Sequence, residues 1–227
     1  MTTTLITGAN RGLGFETARQ LIQRGHTVFI GARDEARGHQ AAKTLGAQFV
    51  QLDVTSDASV DAAAKKLGAL DVLINNAGIS GPMLPTTAIT LEALRTVYET
   101  NVFGVMRMTR AMLPLLQKSA CPVIVNVGSG LGSISAVLDD GRIESKVPAV
   151  AYSSSKSALA MLTVQYAKAL PGMRINVVDP GYTATDFNQH RGHQTVEEGA
   201  EIIVSMATID QRGPTAAFRD RRGTVAW

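Results

Sequence analysis

The chain has 227 residues, enough for one domain with a sizeable buried core. Apolar residues make up 45% and charged residues 18%, a balance that excludes a disordered chain. Lysine and arginine number 22 against 19 acidic residues; the densest basic cluster, Arg219, Arg221 and Arg222, is too small for a nucleic-acid footprint, and the single cysteine, Cys121, excludes an internal disulfide or a cysteine-built zinc site.

Residues 2–7 read as a strand, and residues 12–24 as a helix with Ala18, Leu21 and Ile22 on one face. A β-branched strand spans 26–30, and a helix spans 34–45 with Asp34 as its N-cap. A strand over 48–52 precedes a helix from about 56 to 67. Residues 71–74 form the next strand, and 91–117 one long helix. A nearly pure apolar strand covers 122–127, a helix 151–170, a strand 173–178 and a last helix 196–207. Residues 216–218 add an edge strand. Strand–helix alternation with short joints argues for βαβ units. Strands with little polar alternation argue for a sheet covered on both faces. The expected fold is a single doubly wound, Rossmann-type α/β domain over residues 1–227. Its sheet is mainly parallel, of about seven strands, flanked by helices. A glycine-rich turn begins by Gly8 and leaves no room for a leader; no apolar run approaches the roughly 18 residues of a membrane span. The expectation is a cytoplasmic protein that engages neither membrane nor nucleic acid.

The first turn reads Thr7-Gly8-Ala9-Asn10-Arg11-Gly12-Leu13-Gly14. Glycines without Cβ atoms let a pyrophosphate approach the backbone, and the helix that follows offers free N–H groups and a partial positive charge. The second strand ends in Gly31-Ala32-Arg33-Asp34. An acid at this place suits the ribose hydroxyls of NAD(H), whereas arginine suits the 2′-phosphate of NADP(H). Arg33, with Arg11 able to lie near it, favours NADP(H) over NAD(H), since two guanidinium forks match a phosphate and Asp34 is explained as a helix cap.

Tyr152 and Lys156 are four apart on one helix face. A phenol exchanges protons poorly at neutral pH, and a nearby ammonium favours its ionised form. That makes a usable general acid and base. Asn75-Asn76-Ala77-Gly78, Ser129 and Pro180-Gly181 each follow a strand, where a parallel sheet presents its ligand crevice. His190 and His193 read as polar residues of a mobile lid near 183–197, without the carboxylates that would complete a metal site.

Residues 7–14, Asp53-Val54, residues 75–78, Asn101, Ser129, Tyr152-x-x-x-Lys156 and Pro180-Gly181 occur in the order found in the short-chain dehydrogenase/reductase family. The chain resembles that family over its whole length, and most of all its NADPH-dependent carbonyl reductases. The resemblance implies reversible hydride transfer between NADP(H) and a ketone or aldehyde. Tyr152 would be the proton donor, Lys156 would bind the nicotinamide ribose and lower the phenol's proton affinity, Ser129 would orient the substrate oxygen, and Asn101 would hold a water that relays protons. Gly8, Asn10, Arg11, Gly12, Leu13 and Gly14 would hold the pyrophosphate side. Arg33, Asp53 and Val54 would meet the adenosine end, and Asn76, Ala77 and Gly78 its ribose. Pro180, Gly181, Thr183 and Thr185 would flank the nicotinamide. No metal is implied.

Between Ser129 and Tyr152 lie 22 residues, more than is usual in the family. The surplus, an insertion near 131–150, carries Asp139, Asp140, Arg142, Glu144 and Lys146. It would lie beside the substrate mouth and bear on self-association, with a dimer or tetramer and a monomer both open. The alternative reading is an idle NADP(H)-binding sensor or scaffold, against which the intact Asn101, Ser129, Tyr152 and Lys156 weigh.

Overall fold

The computed structural model describes residues 2–227. Eight strands form one sheet in the order β3-β2-β1-β4-β5-β6-β7-β8. They are β1 (Thr3–Thr7), β2 (Thr27–Ala32), β3 (Gln48–Gln51), β4 (Val72–Asn75), β5 (Val123–Val127), β6 (Arg174–Val178), β7 (Phe218–Asp220) and β8 (Gly223–Thr224). All neighbours pair in parallel except β7 and β8. The chain runs outward from β1 to β3, then returns to β4 on the other side of β1. A switch point therefore opens between β1 and β4, where such sheets bind ligands.

Successive strand residues feed opposite faces of the sheet. Ile6, Ile30, Ile74 and Val125 pack with Ala18 and Leu21 of α1 (Gly12–Gln23), Ala41 and Ala42 of α2 (Glu35–Leu45) and Ile203 of α8 (Val196–Ala207). Leu5, Phe29, Leu73 and Ile124 pack on the other face with Val60 and Ala63 of α3 (Asp57–Lys66), Met108 and Met112 of α5 (Gly104–Leu116) and Ala167 of α7 (Val150–Ala169). Asp34 and Ser56 cap α2 and α3 by accepting from Arg37 N and Ser59 N.

Three details depart from the sequence reading. The sheet has eight strands, because Asp220 accepts from Arg222 N and Gly223 N and turns the chain back as β8. The strand expected at 216–218 begins at Phe218, since Ala216 takes a left-handed φ of 54° that no strand admits. The long helix of 91–117 is divided: α4 (Leu91–Tyr98) passes through a π-helical turn, Glu99–Phe103, before α5.

Within 131–150 lie a short helix, α6 (Ile134–Val137), and a 3-10 turn, Ile143–Lys146, preceded by the 3-10 turn Gly130–Gly132. The C-terminal residues fasten this segment: Ser133 Oγ donates to Ala226 O at 2.6 Å and Ser135 Oγ to Trp227 O at 2.7 Å. Among the described residues no helix is long and apolar enough to cross a membrane.

Candidate active site

The glycine turn between β1 and α1 is shaped by space as well as by dihedral angles. Gly8 and Gly12 hold φ of 65° and 56°, where a side chain would be strained. A Cβ on Gly14 would stand 2.6 Å from Asn76 Nδ2 and 2.8 Å from Ala9 Cα. Asn76 ties this turn to the β4 turn: its Nδ2 donates to Thr7 O at 2.8 Å, and the Asn76 and Ala77 N–H groups donate to Thr7 Oγ1. The start of α1 has no side-chain cap and no acidic residue in its first turn. The open N–H groups and the close-set glycines fit the pyrophosphate of a dinucleotide.

Asp53 and Arg33 meet beyond the ends of β2 and β3. Burial raises the Asp53 carboxyl, but the Thr55 N–H and hydroxyl at 2.9 and 2.7 Å, with Arg33 and Arg107 nearby, outweigh it and hold the group below its ordinary value. Val54 is buried, and its carbonyl accepts from Arg107 at 2.8 Å. Asp34 is engaged as the α2 cap at 2.9 Å, as its place in the sequence suggested. Arg11 does not turn toward Arg33. Its Nη1 lies 3.1 Å from Asp186 Oδ2 in the segment after β6, and His190 Nε2 holds the other Asp186 oxygen at 2.9 Å.

Asn101, Ser129, Tyr152 and Lys156 converge at the carboxyl ends of β4 and β5. Asn101 sits in the π turn, fully buried; it accepts from Ile79 N and donates to Ile79 O, both at 2.9 Å, and to Ser155 Oγ at 3.0 Å. Its amide therefore fixes the chain just past Gly78, where a Cβ would meet Asn101 Oδ1 at 3.3 Å and Lys156 Nζ at 3.7 Å. The π turn is what aims this side chain inward. Ser129, the last residue before the 3-10 turn, faces the Tyr152 phenol and favours its ionised form.

Lys156 is only 5% exposed. Its Nζ donates to Val127 O at 2.6 Å and lies 5.5 Å from the Tyr152 ring centre. Burial draws the ammonium down to about 8, with Asp179 opposing. Burial pushes the Tyr152 phenol above its ordinary value; Ser129 opposes this and Asp179 adds to it. Burial is the largest cause of that rise, and the lysine that the sequence sets beside the phenol is engaged with the Val127 carbonyl.

Beyond β6, Thr183 and Thr185 are buried, and Thr185 packs on the glycine turn, 3.6 Å from a Cβ at Gly12. Thr183 Oγ1 donates to Pro180 O at 3.3 Å, and Gln194 Nε2 to the same oxygen at 2.7 Å. Phe187 lies on Tyr152 with ring centres 5.7 Å apart. His193 packs against Tyr182. Several residues at this site carry no sequence signal for it. Asp179 is 7% exposed and contacts the turn after β5. Glu144, gripped by both ends of the Arg142 fork, reaches Gly130. Gly132 has no room for a Cβ, which would stand 2.7 Å from the Lys156 backbone. The one available hint for Asp179 was its place directly before Pro180-Gly181.

The family model for the short chain dehydrogenase matches residues 2–196. A (+)-neomenthol dehydrogenase from Capsicum annuum is 32% identical over 298 aligned positions, covering 96% of this chain and 95% of the relative. Salutaridine reductase from Papaver somniferum is 31% identical over 289 positions, covering 95% and 93%. Among solved structures, an NADPH-bound carbonyl reductase from chicken fatty liver superposes with a TM-score of 0.88 at 29% identity, covering 100% of this chain and 99% of that one. Matches of this extent, on a fold whose switch point carries the glycine turn and the Tyr–Lys pair, make the chain a member of the short-chain dehydrogenase/reductase family, an oxidoreductase of a family that uses nicotinamide dinucleotides.

Proposed function

We propose that the protein reduces a ketone or aldehyde to an alcohol, reversibly, with NADP(H) in preference to NAD(H). The observation that carries this reading is the meeting of Asn101, Ser129, Tyr152 and Lys156 beside a glycine turn too tight for side chains. Gly8, Asn10, Arg11, Gly12, Leu13 and Gly14 would hold the pyrophosphate. Arg33, Asp53 and Val54 would meet the adenosine end, Asn76, Ala77 and Gly78 its ribose, and Pro180, Gly181, Thr183 and Thr185 the nicotinamide end. When bound, the nicotinamide supplies the hydride.

The chain's own residues handle the oxygen. Ser129 donates a hydrogen bond that orients the carbonyl. Tyr152 Oη gives its proton to that oxygen as it becomes a hydroxyl. A phenol of raised proton affinity still holds its proton at neutral pH, as a donor must. Lys156 offsets the negative charge left on the phenolate oxygen. Asn101 keeps the Ile79 backbone, and with it Gly78, against the lysine.

Support for NADP(H) comes from Arg33, which stands beside Asp53 past the end of β2, and from Asp34, whose carboxylate is taken by α2. The Arg11–Asp186 pair is exposed on both sides and is worth at most about 1 kcal/mol, so a phosphate can displace it. Residues 183–197 act as a substrate lid, with Phe187 as its wall over Tyr152. The test is a panel of ketones, aldehydes and quinones, run with both coenzymes and read at the NADPH absorbance. Menthone and salutaridine, named in structures and relatives similar to this chain, belong in it. Consumption of NADPH by at least one carbonyl is expected, and none across the panel would reject the reading.

A further inference from the structure

Arg107 lies near the start of α5, half-buried, and its guanidinium is used in three directions. Nη1 donates to Val54 O at 2.8 Å, Nη2 donates to Glu99 Oε1 at 2.8 Å, and Nε donates to the Asp57 carboxylate. Val54 and Asp57 belong to the connection from β3 into α3, whereas Glu99 opens the π turn. That turn is itself fixed, because Asn101 within it bonds the Ile79 N–H, the Ile79 carbonyl and Ser155 Oγ. The β3–α3 loop has bonds of its own: Asp53 N donates to Ser59 Oγ and Thr55 N to Asp53 Oδ1, both at 2.9 Å. The same helix presses on it directly, since a Cβ on Gly104 would stand 3.0 Å from Val54 Cγ2. Local bonds give the loop its shape; Arg107 and the Gly104 contact set where that shape stands relative to Asn101. A planar fork of fixed donors can hold three acceptors at once, which a single ammonium on a flexible stem does not do in the same places.

We propose that Arg107 is a positioning residue for the adenosine end of the coenzyme: it holds the Asp53–Val54 loop in register with the π turn that carries Asn101. The inference rests on the reductase reading, in which Asp53 and Val54 meet the adenosine, and adds a determinant of coenzyme affinity on a helix outside the glycine turn. Removing the guanidinium takes the side-chain donor from Val54 O. It also takes from Glu99 and Asp57 the cation they share, so the two carboxylates repel across the gap and push the loop from the turn. Asn101 keeps its three bonds meanwhile, and the loss falls on coenzyme binding before it falls on the chemical step.

The test compares the parent chain with Arg107→Met, which keeps an apolar stem, and Arg107→Lys, which keeps the charge. Each is titrated by calorimetry with NADPH and with adenosine 2′,5′-diphosphate, the adenosine half alone. In Arg107→Met both Kd values are expected to rise about 10-fold, the low end of what a charge-assisted hydrogen bond is worth. In carbonyl reduction the rise in KM for NADPH is expected to exceed any fall in kcat. Arg107→Lys is expected to bind like Arg107→Met; recovery of the parent's affinity would reduce the role to charge alone and overturn the proposal. A merely structural role would lower the melting temperature and kcat and leave both Kd values in place, which also overturns it. If Arg107→Met does not fold, Glu99→Ala detaches the fork from the π turn, and the same two Kd values decide. Hydrogen exchange in ligand-free protein reads the register without coenzyme. The Thr55 and Ser56 amides, both bonded to Asp53, should exchange faster in Arg107→Met, and the Ile79 amide, bonded to Asn101, should not. A parent chain that binds neither NADPH nor the diphosphate would reject the reductase reading, and the exchange rates would then decide the register. A parent that binds both, with neither Kd moved in Arg107→Met, would keep that reading and overturn the proposal.

Discussion

Lys156 holds its ammonium inside the protein with the Val127 carbonyl 2.6 Å away. Its folded value of about 8 lies below the 10.5 of the unfolded chain. Between those pH values the unfolded state binds a proton that the folded state has lost, so stability from this group rises with pH across the window. Below about 8 the full cost of burying the charge applies. Lys156→Met should therefore raise stability at pH 7 by about 1–4 kcal/mol, as when apolar groups replace buried ions. The gain should shrink toward pH 10. Denaturant melts at the two pH values check this, and a variant less stable than the parent at pH 7 contradicts it. That Tyr152, Lys156 and Ser129 come together was legible in the sequence, because their spacing and their places after strands point to one crevice. Asp179 was not. Its burial depends on Arg219 and Gly130, about forty and fifty positions away in the chain.

The elements show the same division. The Asp34 cap was legible, since a cap depends on three neighbouring residues. The π turn at Glu99–Phe103 was not, because an apolar period near 3.6 does not resolve one inserted residue. The β7 shift follows from the left-handed Ala216, which composition does not reveal. At the end of β2, Arg33 lies near Asp53 and forms no ion pair within 4.0 Å among the described residues, while Asp34 is committed to α2. Arg33→Ala should raise the Kd for NADPH about 10-fold or more, on the order of one charge-assisted phosphate contact, and change that for NADH little. Fluorescence titration with each coenzyme reads the ratio. Equal losses for both would dismiss Arg33 as the phosphate partner.

For the whole molecule, strand–helix alternation was enough to give one parallel sheet and its ligand edge. It did not show how residues 131–150 are held, because the serines there bond to Ala226 and Trp227 more than ninety positions on. A ligand that binds only the folded state stabilises it by mass action, by about 2.7 kcal/mol at 100 times its Kd. In a domain of this size that corresponds to a rise in melting temperature of roughly 5–10 °C. NADPH should produce it and NADH at equal concentration a smaller one; no rise with either would remove the dinucleotide from the account.

The most direct measurement is NADPH consumption by Tyr152→Phe beside the parent chain, with any carbonyl the parent accepts. Loss of the proton donor should lower kcat by about 100- to 10,000-fold, with the NADPH-induced melting shift retained. Turnover within a few-fold of the parent would contradict Tyr152 as the acid.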